Sequence, residues 1–288
     1  MPDAAALRAV EILDPGALTT VQDLGRPGWA HLGVPRSGAL DTPALRLANR
    51  LVGNSESAAA LETTLSGMVL RPSAATAIAV TGARCEVLVD GRAATWGAAV
   101  PVAAGAEVRV GAAVDGLRSY VALAGGIEVQ TVLGSRSTDL LSGLGPSPLA
   151  AGDRLPLGPA GRTPYGTEAV PEPRRDRLRI VLGPRADWFT AEALGGLDGA
   201  VYDVSADSNR IGLRLVGSAI ERARPGELPS EGMVLGAVQV PPSGRPVVFL
   251  HDHPTTGGYP VVGVVLEDDL PVCAQARPGE RLTLRVVG

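Results

Sequence analysis

The stretch GERLTLRVV (279–287) sets Leu282, Leu284 and Val286 alternately with Arg281, Thr283 and Arg285, behind a glycine. Side chains of an extended backbone point to opposite faces with a period of two. The segment therefore predicts a strand with one face in a core and the other in water. The same Gly-x-x-apolar-x-apolar pattern recurs in GAEVRV (105–110) and GDRLPL (152–157), which admits an internal duplication of a glycine-started strand. Working outward, AIAV (77–80), CEVLVDG (85–91), RIVLGP (179–184) and VVFL (247–250) are short, β-branched and bounded by turn residues. Val89-Asp90-Gly91 predicts a hairpin, because Asp-Gly accepts the positive φ values of a type I′ turn.

Helix signals are few. In Asp41-Thr42-Pro43 before ALRLANRLVGN, Thr42 or Asp41 can cap the first turn, Pro43 suits the first helical position and Gly53 ends the helix. A second short helix is expected from about Pro184 to Leu194. With 37 glycines and 24 prolines in 288 residues, many short elements joined by turns are expected. The fold class is mainly β with a few short helices. GPAGRTPYGTEAVPEPRRD (158–176) has no periodicity and reads as a linker over 161–176, between an N-terminal domain (1–160) and a C-terminal domain (177–288).

All 26 cationic residues are arginine. A chain without lysine makes no Schiff base, no Walker A phosphate loop, no lysine-linked biotin and no Ser-Lys amidase dyad. The net charge of −4 and the lack of a basic stripe argue against nucleic acid. Cys85 and Cys273 stand alone, which fits a reducing compartment better than a disulfide scaffold. MPDAAALRAV is too short and polar for a signal segment, and no run approaches 18 apolar residues, so a soluble cytoplasmic protein is expected.

Chemistry-bearing residues concentrate in two stretches. HDHPTTGGYP (251–260) holds two of three histidines, yet zinc needs three or four convergent ligands and no cluster supports the pair, so no metal is expected. No Gly-x-Ser-x-Gly elbow occurs, and LSGLGP (141–146) does not complete a dinucleotide fingerprint. TTVQDLGRPGWAHLGVPRSGALD (19–41) gathers Gln22, Asp23, Arg26, Arg36, Ser37 and Asp41 among glycines. It reads either as an arginine–carboxylate network pinning a loop or as a pocket for an anion or amide. GAVQVPPSGRPVVFLHDHPTTGGYP (236–260) runs strand, turn, strand and corner, and Gly257-Gly258 admits a close backbone approach.

TVQDLGRPGWAHLGVPRSGALD, ALRLANRLVGN, LETTLSG (61–67), RSYVALAGGIEVQTVLGSRST (118–138), SNRIGLRL (208–215), SEGMVLGAVQVPPSGRPVVFLHDHPTTGGYP and DLPVCAQARPGERL (269–282) together resemble the allophanate hydrolase subunit 2, or KipA, family. The family is also named for the C-type component of 5-oxoprolinase, or as the biotin-dependent carboxyltransferase family. The resemblance covers nearly the whole chain. It implies two cyclophilin-like β-barrel domains and a KipI-like (allophanate hydrolase subunit 1) partner. Three activities follow from it as alternatives. One is a subunit of an ATP-dependent 5-oxoprolinase with a LamB/YcsF-like third component. Another is a carboxyltransferase acting on urea or a related amide, fed by carboxybiotin on a separate biotin carrier. The third is a non-catalytic regulatory module that binds a KipI-like kinase inhibitor. Amide hydrolysis by a Ser-Ser-Lys triad is excluded on chemistry.

A small amide substrate calls for a fork donor, an amide-matching side chain and a carboxylate acceptor. Asp23, Arg26 and Asp252 are the catalytic candidates. Gln22, Asp41, Arg136, Arg210, Gln239 and Tyr259 are candidates for substrate binding or for the interface. Each has a second reading as a loop anchor. His251 and His253 flank the motif aspartate and are expected to be dispensable.

Overall fold

A computed structural model describes residues 8–161, 176–226 and 228–288. The chain divides into two compact units. Residues 8–26, Asp41–Asp139 and 143–161 fall in the first. Pro27–Leu40, Leu140–Ser142 and the chain from 176 onward fall in the second. Two short segments from inside the first 160 residues thus belong with the C-terminal half. The linker expected at 161–176 lies, apart from its two end residues, outside the described residues.

The first unit carries two sheets. The six-stranded sheet runs Arg154–Pro156, Ala9–Asp14, Met68–Pro72, Val108–Val110, Val87–Val89, Arg92–Ala94. The five-stranded sheet runs Thr19–Gln22, Ala60–Thr64, Asp115–Leu123, Thr76–Arg84, Val100–Val102. Their shared core contains Val10, Ile12, Leu70 and Val108 from the first, with Val21, Leu61, Val80 and Val121 from the second. The other face of the five-stranded sheet is also buried, and it is polar. Thr20, Gln22, Glu62, Thr81 and Tyr120 lie there, each within 1% of full burial. The helix Thr42–Leu51 packs across the strands Asp115–Leu123 and Thr76–Arg84. Thr81 Oγ1 donates to Ala44 O at 2.7 Å, joining that face to the helix. Asp41, not Thr42, supplies the cap, accepting from Ala44 N at 3.1 Å, and Gly53 follows at φ +74°.

The second unit contains a closed seven-stranded barrel: Arg177–Leu182, Val261–Val265, Ala237–Gln239, Val247–Phe249, Gly212–Val216, Val201–Val204 and Arg281–Val286. It closes by parallel pairing of the last strand with the first, Leu178 opposite Leu284. Closure removes the open edges that invite aggregation. The segment 279–287 behaves as its alternation requires, with Leu282 and Leu284 at 0% exposure in the barrel core and Arg281 and Arg285 outside.

All three glycine-started repeats form the same local structure. Gly105, Gly152 and Gly279 each hold positive φ, at +76°, +92° and +85°. Each N–H donates across to a neighbouring chain segment: to Pro72 O, Ile12 O and Val204 O at 2.7–2.8 Å. The paired apolar positions that follow (Val108 and Val110, Leu155 and Leu157, Leu282 and Leu284) are all buried. The Asp90-Gly91 hairpin is present too, with φ +48° and +73°.

One expected helix is divided. Ala186–Trp188 is a 3-10 turn, and the α-helix begins only at Ala191, capped by Thr190 Oγ1 accepting from Ala193 N. Between them Phe189 is extended and 4% exposed, because its ring is committed to the barrel core. A short helix at Leu270–Gln275 adds Leu270, Val272, Cys273 and Ala274 to the same core. Cys85 and Cys273 are free and buried. Burial pushes the Cys273 thiol up to about 12. Neither cysteine is expected to react with iodoacetamide at pH 7.5 in the native state, because the thiolate is the nucleophile. Mass spectrometry with and without denaturant checks this.

Candidate functional site

The residues singled out in the sequence fall into separate constellations, one group in each unit. In the second unit, Arg210 and Asp252 form a two-pronged pair. Nε donates to Oδ2 at 2.9 Å and Nη2 to Oδ1 at 3.0 Å, with side chains 2% and 0% exposed. A guanidinium and a carboxylate in this fork geometry satisfy each other's directional bonds, which a pair so deeply buried requires. The aspartate also accepts from Ser37 Oγ at 3.2 Å and Leu140 N at 3.3 Å. Arg210 Nη2 further donates to Gly38 O at 2.7 Å. Ser37 N donates to His251 O at 2.9 Å. Both segments inserted from the first 160 residues are therefore tied to one ion pair, and the four acceptor positions of Asp252 are taken.

The first unit has a parallel arrangement around Asp23. Oδ1 accepts from Gly25 N at 2.7 Å, Ser135 Oγ at 2.6 Å and Ser137 Oγ at 2.6 Å, and Oδ2 from Arg136 N at 2.6 Å. Arg26, 1% exposed, donates through Nη2 to Ser137 O and lies 3.9 Å from Asp139. The loop 135–139 is thereby gripped from both sides. Arg136 brings its backbone to Asp23, while its side chain leaves for Val129 O at 2.9 Å and Glu128 at 2.5 Å. Gln22 donates to Thr20 Oγ1 and Thr138 O, both at 3.0 Å. The Thr138 carbonyl can only accept, which fixes the orientation of the amide. Gln22 Oε1 then lies buried with no hydrogen-bond partner among the described residues.

Asp41 serves the helix rather than either constellation, and its own N–H donates to Tyr120 Oη at 2.7 Å. Tyr120 in turn donates to Glu62 at 2.7 Å. Burial first, then the charges of Glu62 and Asp41, hold the Tyr120 phenol well above its ordinary range, so it remains a donor. Gln239 donates to Tyr259 O at 3.3 Å, and Arg222 lies 5.6 Å from the centre of the Tyr259 ring. A Cβ on Gly257 would meet Gln239 Nε2 at 2.7 Å, so the close approach expected at this glycine is made by the Gln239 amide.

The histidine stretch opens as a turn after the strand Val247–Phe249 and continues into the two-residue strand Thr256–Gly257. Among the described residues no group of three or more His, Cys, Asp or Glu side chains is placed to hold a metal. His253 is 6% exposed and stacks on Phe249 with ring centroids 5.8 Å apart. Burial, then the charge of Arg36, lowers its proton affinity below the usual 6.5, against the opposing pull of Pro254 O and Asp252. The unfolded chain thus takes up a proton at higher pH than the folded one. Stability is expected to be full above pH 6.5 and to fall as pH drops from 6.5 to the folded value. The slope in urea melts between pH 7 and 5 should shrink in His253→Gln.

Residues 32–286 match the family model described as carboxyltransferase domain, subdomain A and B. This chain belongs to that family. It is 40% identical to the C-type component of 5-oxoprolinase from Escherichia coli over 94% of this chain and 89% of that protein. The crystal structure of TTHA0988 is similar at a TM-score of 0.88 and 38% identity, covering 99% of this chain. The chain spans 56% of that protein's length. The urea amidolyase of K. lactis is similar at a TM-score of 0.89 and 32% identity over 97% of this chain, which spans 19% of it. The TM-scores of 0.88 and 0.89 over 97–99% of this chain show that these relatives share its fold. Sequence reasoning named the aspartates but missed Ser135 and Ser137, whose signal was the spacing of hydroxyls around Arg136 in GSRST. It also missed Glu62 and Tyr120, which alternation places on the polar face only once the neighbouring strands are known.

Proposed function

We propose that this chain is one subunit of a multi-component, ATP-dependent 5-oxoprolinase. It would work with a KipI-like partner and a LamB/YcsF-like third component in the cytoplasm. The observation that supports this reading is the 40% identity to the E. coli protein over 94% of this chain. The urea amidolyase relative is less similar, at 32% identity over 97% of this chain. In this reading Asp23 and Asp252 position loops, since their acceptor positions are occupied by Gly25, Ser135, Arg136 and Ser137 in one case and by Arg210, Ser37 and Leu140 in the other. The buried amide oxygen of Gln22 is a group on which a donor from substrate or partner would be accepted. ATP would supply the activating phosphoryl group at the level of the complex.

Carboxyl transfer to urea or a related amide is the second reading, favoured by the family description. Carboxybiotin would then arrive on a separate carrier, because this chain has no lysine on which to attach it. Co-expression with the KipI-like and LamB/YcsF-like proteins, followed by an assay of 5-oxoproline-dependent ATP hydrolysis, separates the two. Turnover only in the three-component mixture supports the first reading. An inactive complete complex that accepts carboxyl groups from a biotin carrier supports the second.

A further inference from the structure

Arg36 is half-buried, and its Nε is shut off from solvent with no hydrogen-bond partner among the described residues. No carboxylate among the described residues pairs with it. The buried Arg210 is engaged by Asp252 and Gly38, and Arg222, whose Nε is likewise unpartnered among the described residues, donates through Nη1 and Nη2 to Gly226 O and Val240 O. The backbone beside Arg36 is held firmly. Ser37 sits at φ +52°, a region a side chain enters only when its surroundings enforce it. Here Asp252 and His251 O enforce it, accepting from Ser37 Oγ and N. These bonds hold Ser37, the next residue, against His251 and Asp252, and the Arg36 charge acts on the neighbouring His253.

His253 completes the arrangement. Its Nδ1 lies 2.7 Å from Pro254 O, and a carbonyl only accepts, so Nδ1 carries the proton. The neutral ring keeps its lone pair on Nε2. The stack on Phe249, at an interplanar angle of 16°, fixes the ring plane.

We infer that Arg36 and His253 form a two-point binding site for a small carboxylate or carbamate that carries an N–H next to its acid group. The planar guanidinium matches a planar two-oxygen anion, and imidazole Nε2 accepts the neighbouring N–H. The inference rests on the oxoprolinase reading only for its first probe, 5-oxoproline, which presents a lactam N–H beside a carboxylate.

The test is titration of the full chain with 5-oxoproline, N-acetylglycine, acetate and 2-pyrrolidinone, followed by calorimetry and by the ¹⁵N resonances of the histidines. 5-Oxoproline and N-acetylglycine should bind, move the His253 Nε2 resonance and bind Arg36→Gln about tenfold or more weakly. Arg36→Lys, which keeps charge but not the fork, should recover part of the loss. Acetate or 2-pyrrolidinone binding as tightly as 5-oxoproline, or a His253 resonance that no probe moves, would overturn the site. The resonance measurement needs no variant, so it decides even where Arg36→Gln does not fold. N-Acetylglycine binding through Arg36 while 5-oxoproline does not bind would leave this site standing and defeat the oxoprolinase reading. An assembled complex with Arg36→Gln that turns over 5-oxoproline at the wild-type kcat and KM would do the reverse.

Discussion

Asp252→Ala is expected to destabilise the protein by about 3–5 kcal/mol, the usual cost of leaving a buried charge without its counterpart. Arg210 is 2% exposed, so its guanidinium would lose both prongs with no water to replace them. The cost is compounded because Ser37 Oγ and Leu140 N lose their acceptor at the same time. Against a typical total of about 5–15 kcal/mol, much of the folded population is at stake. Urea titration followed by circular dichroism measures it. Arg210→Met with Asp252→Leu in one chain is the informative companion, since replacing both charges by apolar side chains is expected to cost far less than removing one. A normal urea midpoint with abolished activity in Asp252→Ala would instead make Asp252 a reacting group.

Asp23→Ala is expected to cost about 3–4 kcal/mol, because four donors (the Gly25 and Arg136 amides and the Ser135 and Ser137 hydroxyls) are orphaned together. Asp23→Asn should recover little. Its NH₂ must face one of two groups of donors whichever way the amide turns. Hydrogen exchange at Gly25 and Arg136 should accelerate in both variants, while amides of the barrel strand Arg281–Val286 keep their protection. Uniform acceleration across both units would mean that Asp23 supports the whole fold and not only the 135–139 loop.

Much of this architecture was legible before any coordinates. The strands announce themselves because alternation is a local property: Leu282 and Leu284 need only their neighbours in sequence to declare a buried face. The capped helix at Thr42–Leu51 and the Asp90-Gly91 hairpin are likewise written in adjacent residues. What resisted reading depends on long-range pairing. Nothing near Phe189 says that its ring enters a core and interrupts the helix. Nothing in GSRST says that its two serines converge on an aspartate more than 110 positions earlier. Arg36 was visible as one arginine among 26, and its half-buried guanidinium beside the 251–253 turn is a matter of long-range packing.

The tie between Ser37 and Asp252 spans 215 positions. On a ribosome elongating at about 5–20 residues per second, that separation is a wait of roughly 10–40 s between the emergence of the loop and the arrival of its anchor. For that interval Ser37 lacks the Asp252 and His251 acceptors that hold it at positive φ in the folded protein. The Ser37–Asp252 tie can close only after residue 252 has emerged. The loop is therefore completed in time only with a residue made 215 positions later, and synonymous changes that stall translation between Ser37 and Asp252 would lengthen its exposure to proteases.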